Sequence, residues 1–294
     1  MIDWVVLLQN LSNGLLIGAV YALVGIGLTL IFGVMGTINF AHGDFVVLGM
    51  YSAVLLSGLL GWDPYLTLVF AMPGGFLLGM AIQRLTLARV VDAPPETGML
   101  ATLGLSLIIA NLLLLGFGGE PKSVHVGYAS DTLGLGSVRI SVVLLLAGLA
   151  TLVVTLGLHL VLRHTEVGRA IRATAENRLG AEIVGIDTRR IQAIVFGIGV
   201  LLAVTAGVSL IPLLFASPVV TGPLFTLKAF VVTVLGGLGS VGAAIAGGLL
   251  LGLVEIMGAS YLSSEYRDAY GLLVFLLVLL FRPEGLFGKT VKRV

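Results

Sequence analysis

RHTEVGRAIRATAENRLGAEIVGIDTRR, residues 163–190, is the longest polar interruption in an otherwise apolar chain. It holds six of the sixteen Lys/Arg: Arg163, Arg169, Arg172, Arg178, Arg189 and Arg190. Thr165 is placed to cap a helix and Gly185 to end one in the left-handed conformation, so a helix is predicted over 165–185. Ile171, Ala175 and Ile183 give it a partial apolar stripe. Arg172 stands four residues before Glu176, and Arg178 four before Glu182, a spacing at which each pair meets on a helix surface. Asp187 is placed as N-cap of the apolar run that follows. A short charged helix clamped between membrane spans suits docking onto something in the aqueous phase, although a plain solvated loop carries the same composition.

On both sides of this stretch the chain reads as membrane. Of 294 residues, 58% are hydrophobic and 11% charged, against about 25% charged in a soluble domain. Several apolar runs exceed the roughly 18–20 residues that cross a bilayer. They are continuous, whereas a barrel would alternate in segments of about ten. The fold class expected is an all-α polytopic membrane protein, with residues 1–294 as one transmembrane domain in the lipid bilayer and 163–190 as a loop within it. A net charge of +1 gives no footing for nucleic acid, and the absence of cysteine excludes disulfides and thiolate metal sites. The histidines at 42, 125, 159 and 164 have no metal-ligand spacing. The first Lys/Arg is Arg84, so no cleavable signal peptide is expected. The 41 glycines fit close helix packing.

Toward the N-terminus the predicted spans are 5–34, 44–60, 65–83 with a break or kink near Pro73-Gly74-Gly75, 98–117 and 140–162. The first opens with the mildly polar Gln9, Asn10, Ser12 and Asn13, and Gly14 with Gly18 makes a GxxxG. Between the first two spans, GVMGTINFAHGDFVVLGMY (33–51) brings Asn39, His42 and Asp44 together near Gly36 and Gly43. Such groups at membrane depth line a pathway or fix a broken helix end; at a boundary they form a simple turn in which Asp44 caps the next helix. Toward the C-terminus come spans 190–214, 224–238, 241–260 and 269–281. Residues 224–238 barely reach spanning length, contain Lys228, and lead into the cluster Gly236, Gly237, Gly239 and Gly242, the pattern of a short or half helix. The stretches after Gly36 and after Gly236 each place a Gly-rich turn before a small-residue helix, a weak hint of duplicated halves.

Lys/Arg placement orients the chain. Loops 84–96, 163–190 and 282–294 carry twelve, the opposite loops carry three (Lys122, Arg139 and Arg267), and Lys228 lies within a span. The bias puts 163–190 and the C-terminus in the cytoplasm and predicts nine crossings, or eight if 224–238 is re-entrant. GLFGKT (285–290) has Pro283 where a phosphate-binding loop has its first glycine, and only four residues follow Thr290, so no ATP site is read there. The residues alone fit a transporter subunit, a channel or an intramembrane enzyme.

Four stretches narrow this: YALVGIGLTLIFGVMGTINFAHGDF (21–45), TEVGRAIRATAENRLGAEIVGID (165–187), KAFVVTVLGGLGSVGAAIAGGLLLGLVE (228–255) and YLSSEYRDAYGLLVFLLVLLFRPEGLFG (261–288). With INFAHG and VLGGLGS as its most specific motifs, the chain resembles the permease subunits of bacterial ABC importers for branched-chain amino acids. The resemblance implies a type II ABC importer-like permease of about 8–9 transmembrane helices in the bacterial cytoplasmic membrane. It implies a second permease as heterodimer partner, two cytoplasmic ATPase subunits that hold ATP and Mg, and a periplasmic substrate-binding protein; this chain itself would hold no cofactor and no ATPase site. Residues 163–190 would carry the coupling helix, with a degenerate EAA…G signature at Ala175-Glu176, Ala181 and Gly185, and Arg169, Arg172, Glu176 and Gly185 would dock on the ATPase. Asn39, His42 and Asp44 would form the gate or pathway end, with Gly236, Gly237 and Gly239 as a symmetry-like partner. The alternatives are a permease for urea, short amides or other amino acids, and a stand-alone channel or secondary carrier, for which Glu255 is the candidate buried carboxylate.

Overall fold

The computed structural model describes residues 4–91, 93–136, 138–237, 239–282 and 285–286. Asp92, most of the basic tail and most of the GLFGKT stretch lie outside them. The helices are α1 (Trp4–Met35), α2 (His42–Leu60), α3 (Leu68–Leu85), α4 (Pro95–Phe117), α5 (Val142–His164), α6 (Glu166–Glu176), α7 (Arg178–Ile183), α8 (Thr188–Leu210), α9 (Thr221–Gly236), α10 (Val241–Tyr261) and α11 (Arg267–Phe281). Among the described residues seven helices are long and apolar enough to cross a membrane. The short α9 and α11, of 16 and 15 residues, complete the nine apolar segments read from the sequence. At 1.5 Å per residue α9 rises only about 24 Å, less than the roughly 30 Å hydrocarbon core, and so has the length of the expected half helix.

The core is formed by α1, α2, α8, α9 and α10. Phe45, Phe196, Phe225, Tyr51 and Met50 are fully buried there. Helices α3, α4, α5 and α11 flank it and turn leucine-rich faces outward, among them Leu77, Leu107, Leu115, Leu152 and Leu280, as helices facing lipid or another membrane subunit do. Close approach through glycine sets the central packing. α1 and α10 run antiparallel with Gly18 against Gly248, where a Cβ on Gly18 would lie 2.9 Å from the Gly248 carbonyl oxygen. The GxxxG of Gly14 and Gly18 thus meets Gly248 and Gly252 of its neighbour, the backbone contact that small residues permit. Likewise Gly79 of α3 lies against Gly197 and Val200 of α8. Of the break or kink expected near Pro73, the break does not occur: α3 is one continuous helix from Leu68 to Leu85 with Pro73 inside it as the sixth residue, where it leaves the Val69 carbonyl without its i+4 donor.

The polar residues that open α1 tie it to the outer loops. Gln9 exchanges two hydrogen bonds with the Arg139 backbone, and Asn10 donates to Ser260 Oγ at 2.6 Å. Arg139 lies in a two-stranded antiparallel hairpin, β1 (Thr132–Leu135) and β2 (Val138–Ser141), in the connection between α4 and α5. Tyr128 donates to Asp63 at 2.5 Å, locking this loop onto the α2–α3 turn.

Candidate functional site

The two segments in which sequence reading placed buried polar groups and a half helix come together. α1 continues past the point where α2 starts: His42 Nε2 lies 2.9 Å from the Val24 carbonyl oxygen, and Val24 stands about 16 Å before the end of α1 along its axis. The chain turns at Gly36, whose φ of +69° lies in the region that favours glycine, and re-enters the bundle through 37–41. Hydroxyls from α4 and α9 hold this strap. Phe40 N donates to Thr102 Oγ1 (3.1 Å), Thr226 Oγ1 donates to Phe40 O (3.1 Å), and Gly43 N donates to Thr226 Oγ1 (2.9 Å). Asn39 Oδ1 accepts from Ala41 N at 3.1 Å, bracing the turn into α2.

The first turns of α2 and α9 are in backbone contact. A Cβ on Gly43 would collide with the Gly222 carbonyl and the Thr226 amide, and one on Gly222 would collide with the Asp44 carboxyl. Two helix N-termini therefore converge in the interior, each with unsatisfied N–H groups and partial positive charge, and the Asp44 carboxyl sits between them. Asn39, His42 and Asp44 are each no more than 1% exposed. His42 Nε2 must carry the proton it donates to Val24. Asn39 Nδ2, His42 Nδ1 and Asp44 Oδ2 have no hydrogen-bond partner among the described protein atoms. A buried polar atom without a partner costs about 1–3 kcal/mol, so the three leave unmet hydrogen bonds in the interior of the bundle.

Gly236, Gly237 and Gly239 are not part of this junction. They lie at the opposite end of α9, Gly236 being about 15 Å along the helix from Thr226. Gly237 (φ +109°) and Gly239 (φ +88°) form the turn into α10, which Ser240 caps by accepting from Ala243 N. Leu286 N donates to Leu235 O at 2.9 Å, so the segment after α11 returns to this turn.

A second buried polar group, not assembled from the sequence, crosses α9 at its middle. Lys228 pairs with Glu255 of α10 and, at 2.8 Å, with Asp268 of α11. Arg267 Nε lies 3.5 Å from Glu255, Tyr21 of α1 donates to Glu255 at 2.9 Å, and Lys228 Nζ sits 4.7 Å from the Tyr21 ring centroid. Two cations balance two carboxylates across α9, α10 and α11, and Tyr21 ties the group to α1. Glu255 is 1% exposed but spoken for on three sides, which removes the free carboxylate that a proton-coupled carrier would need.

The cytoplasm-assigned loop is built differently from its predicted single helix. Thr165 caps α6, accepting from Gly168 N at 3.0 Å, and Asp187 caps α8, accepting from Arg190 N at 3.0 Å, both as read. But Asn177 leaves helical conformation (φ −154°, ψ 100°) and caps a new helix, α7, by accepting from Gly180 N. The break resets the helical phase. The face of α6 that packs inward is Gly168, Ile171 and Thr174, while Ala175 and Ile183 of the predicted stripe are exposed. Arg178 pairs with Glu182 at 3.3 Å as expected. Arg172 does not pair with Glu176; its guanidinium donates to the Leu162 carbonyl at the end of α5, and Arg169 pairs with Glu166 at 3.4 Å. α7 ends in a Schellman motif: Ile186 N donates to Ala181 O and Gly185 N to Glu182 O, with Gly185 at φ +86°.

What the sequence reading missed on α7 is its outer face. Leu179, Ile183 and Val184 are 69%, 78% and 75% exposed, on the short helix between the end of α5 and the start of α8. An Asn followed three residues later by Gly was the available signal for the break. The apolar face follows once α7 is phased from Asn177.

Residues 10–282 match the family described as branched-chain amino acid transport system / permease component. The chain is 34% identical to the high-affinity branched-chain amino acid transport system permease protein BraD of Pseudomonas aeruginosa, over 96% of each chain. It is 32% identical to the corresponding permease protein LivH of Escherichia coli, again over 96% of each. A probable branched-chain amino acid transport permease of Methanocaldococcus jannaschii is 28% identical over 97% of this chain and 93% of its own.

Proposed function

This chain belongs to the family of permease components of branched-chain amino acid transport systems, and from that premise we propose that it is the membrane-spanning permease subunit of an ATP-driven importer for branched-chain amino acids. The single observation that carries the substrate class is its likeness, over 96% of its length, to permeases named for that transport. Its place is the bacterial cytoplasmic membrane. Its partners are a second permease, two cytoplasmic ATPases that hold ATP and Mg, and a binding protein on the outer side.

Coupling runs through α6 and α7. The Arg172 hydrogen bond to the Leu162 carbonyl and the tight seat of Gly168 against the end of α5 join α6 to α5. The Thr188 hydroxyl at the start of α8 donates to Glu182 at 2.6 Å and joins α7 to α8. A force on α7 thus reaches two membrane helices. Leu179, Ile183 and Val184 insert into a groove of the ATPase, Arg169 and Glu176 border the contact, and Gly185 fixes the turn that ends it. When the ATPases close on ATP, α5 and α8 shift, and the bundle passes between inward- and outward-open states by differential nucleotide affinity. The α2–α9 junction, with Asn39, His42 and Asp44, lies on the pathway; the Gly236–Gly239 turn permits the cytoplasmic end of α9 to move against α10.

The test is co-purification. A tag on this chain should retain a second permease and two ATPases when the four are co-expressed, and loaded binding protein should raise ATP hydrolysis. Leu179→Asp with Ile183→Asp should release the ATPases while leaving the permease pair intact. ATPases retained by that double variant would refute α7 as the docking element.

A further inference from the structure

α11 flanks the core, and the described chain beyond it comes back to α9. Gly285 N donates to Arg282 O at 2.9 Å, so the chain turns at once after the helix, and Leu286 N donates to Leu235 O at 2.9 Å. Leu235 lies in the last turn of α9, where carbonyls lack donors within the helix. Gly285 is buried at φ +85°, and a Cβ on it would stand 2.4 Å from the Val234 carbonyl oxygen and 2.8 Å from Gly237 Cα. Only glycine suits both that backbone angle and that space. Two further contacts join the same helices. Phe230 meets Phe275 edge-on with ring centroids 5.8 Å apart, and Lys228 bonds Asp268 at 2.8 Å. α9 is thus held to α11 near its middle and again at its end.

We infer that Gly285 and Leu286 are positioning residues for transport: they clip the cytoplasmic end of α9 to α11 and so hold the α2–α9 junction in register. The inference rests on the permease reading above and gives the last helix of the chain a part in it. α9 carries Gly222 and Thr226, its half of the junction, at the other end. Gly222 and Leu235 are about 20 Å apart along the helix axis, and a helix transmits displacement as a rigid element. The turn into α10 does not fix the end of α9 by itself, because Gly237 and Gly239 both stand at positive φ and glycine moves freely between backbone conformations. The clip supplies what the turn lacks: a donor for an open carbonyl and a seat of backbone against backbone.

The experiment uses the assembled importer in vesicles, with its ATPases, partner permease and binding protein. Gly285→Ala unseats the clip. Amide exchange over 233–237 should quicken about 5-fold, the worth of one net backbone hydrogen bond, with exchange in α5 and α8 unchanged. Leucine uptake should fall further than ATP hydrolysis, so that more ATP is consumed per leucine. Gly242→Ala, at the start of α10 with open space around it, should change neither. Exchange over 233–237 at the wild-type rate would overturn the proposal. So would a wild-type ratio of ATP to leucine, which is what simple loss of assembled protein gives. If Gly285→Ala fails to assemble, Leu286→Pro, which deletes the donor N–H, is read by the same two measurements. Absence of ATP-dependent leucine uptake by the wild-type importer would instead remove the functional reading, and the exchange measurement, which needs no substrate, tells the two failures apart.

Discussion

Replacing Lys228 by methionine removes a charge of similar reach from the centre of the bundle and leaves Glu255 behind. Glu255 is 1% exposed and keeps Tyr21 as a donor and Arg267 at 3.5 Å, but Arg267 is itself a third exposed and is no substitute for a buried ammonium. Breaking one partner out of a buried ion pair costs about 3–5 kcal/mol, because the remaining charge stays desolvated. The partial cover from Arg267 and Tyr21 places Lys228→Met toward the lower end, roughly 3 kcal/mol by that scale. Removing both charges behaves differently. In Lys228→Met with Glu255→Met, Arg267 and Asp268 remain as a balanced pair near the aqueous edge, and an apolar replacement of a buried pair is often neutral or stabilising. Thermal unfolding of the purified protein in one detergent should show the single variant lowered by several degrees, at roughly 2–4 °C per kcal/mol, and the double variant close to wild type. A double variant no more stable than Lys228→Met would refute the reasoning, since the penalty would then come from lost packing or a lost bond and not from an uncompensated carboxylate.

Gly207→Ala drives a Cβ into the Val46 carbonyl of α2 and should lower stability by about 1–3 kcal/mol, whereas Gly58→Ala, with open space around it, should be neutral or stabilising by up to about 1 kcal/mol; the pair, compared by thermal unfolding, separates backbone crowding from glycine content. Asn177→Ala removes the cap of α7 and should cost about 0.5–2 kcal/mol of local stability, read as faster amide exchange over 178–183 together with weaker ATPase retention, with no change in α5 or α8. Gly185→Val forces a branched side chain to φ +86° at about 1–2 kcal/mol, and ATP hydrolysis should become less responsive to loaded binding protein.

How much of this was legible in the sequence depends on the range over which each feature is decided. The nine apolar segments and the caps at Thr165, Asp187 and Gly185 were legible because composition and a few neighbouring residues settle them. The break at Asn177 was not, because the two i, i+4 pairs lie on either side of it and neither spans it, so both fit one helix or two; Arg178 and Glu182 meet, while Arg172 and Glu176 do not. Tertiary assembly was the least legible. Gly43 and Thr226 lie 183 positions apart, and no periodicity links them. Asn39, His42 and Asp44 stood out as polar groups in an apolar setting, but that their neighbour would be the N-terminus of α9 and not the glycine turn at its far end depends on how the helices stack. Lys228, Glu255, Arg267 and Asp268 were each visible as charges near or within spans, and only packing shows that they neutralise one another.

The most direct measurement is uptake of labelled leucine into vesicles that contain this chain with its partner permease and ATPases, with urea run alongside. The account predicts leucine accumulation that requires both internal ATP and external loaded binding protein, and no accumulation of urea. Leucine flux that needs neither ATP nor binding protein would contradict it and return the chain to the class of channels.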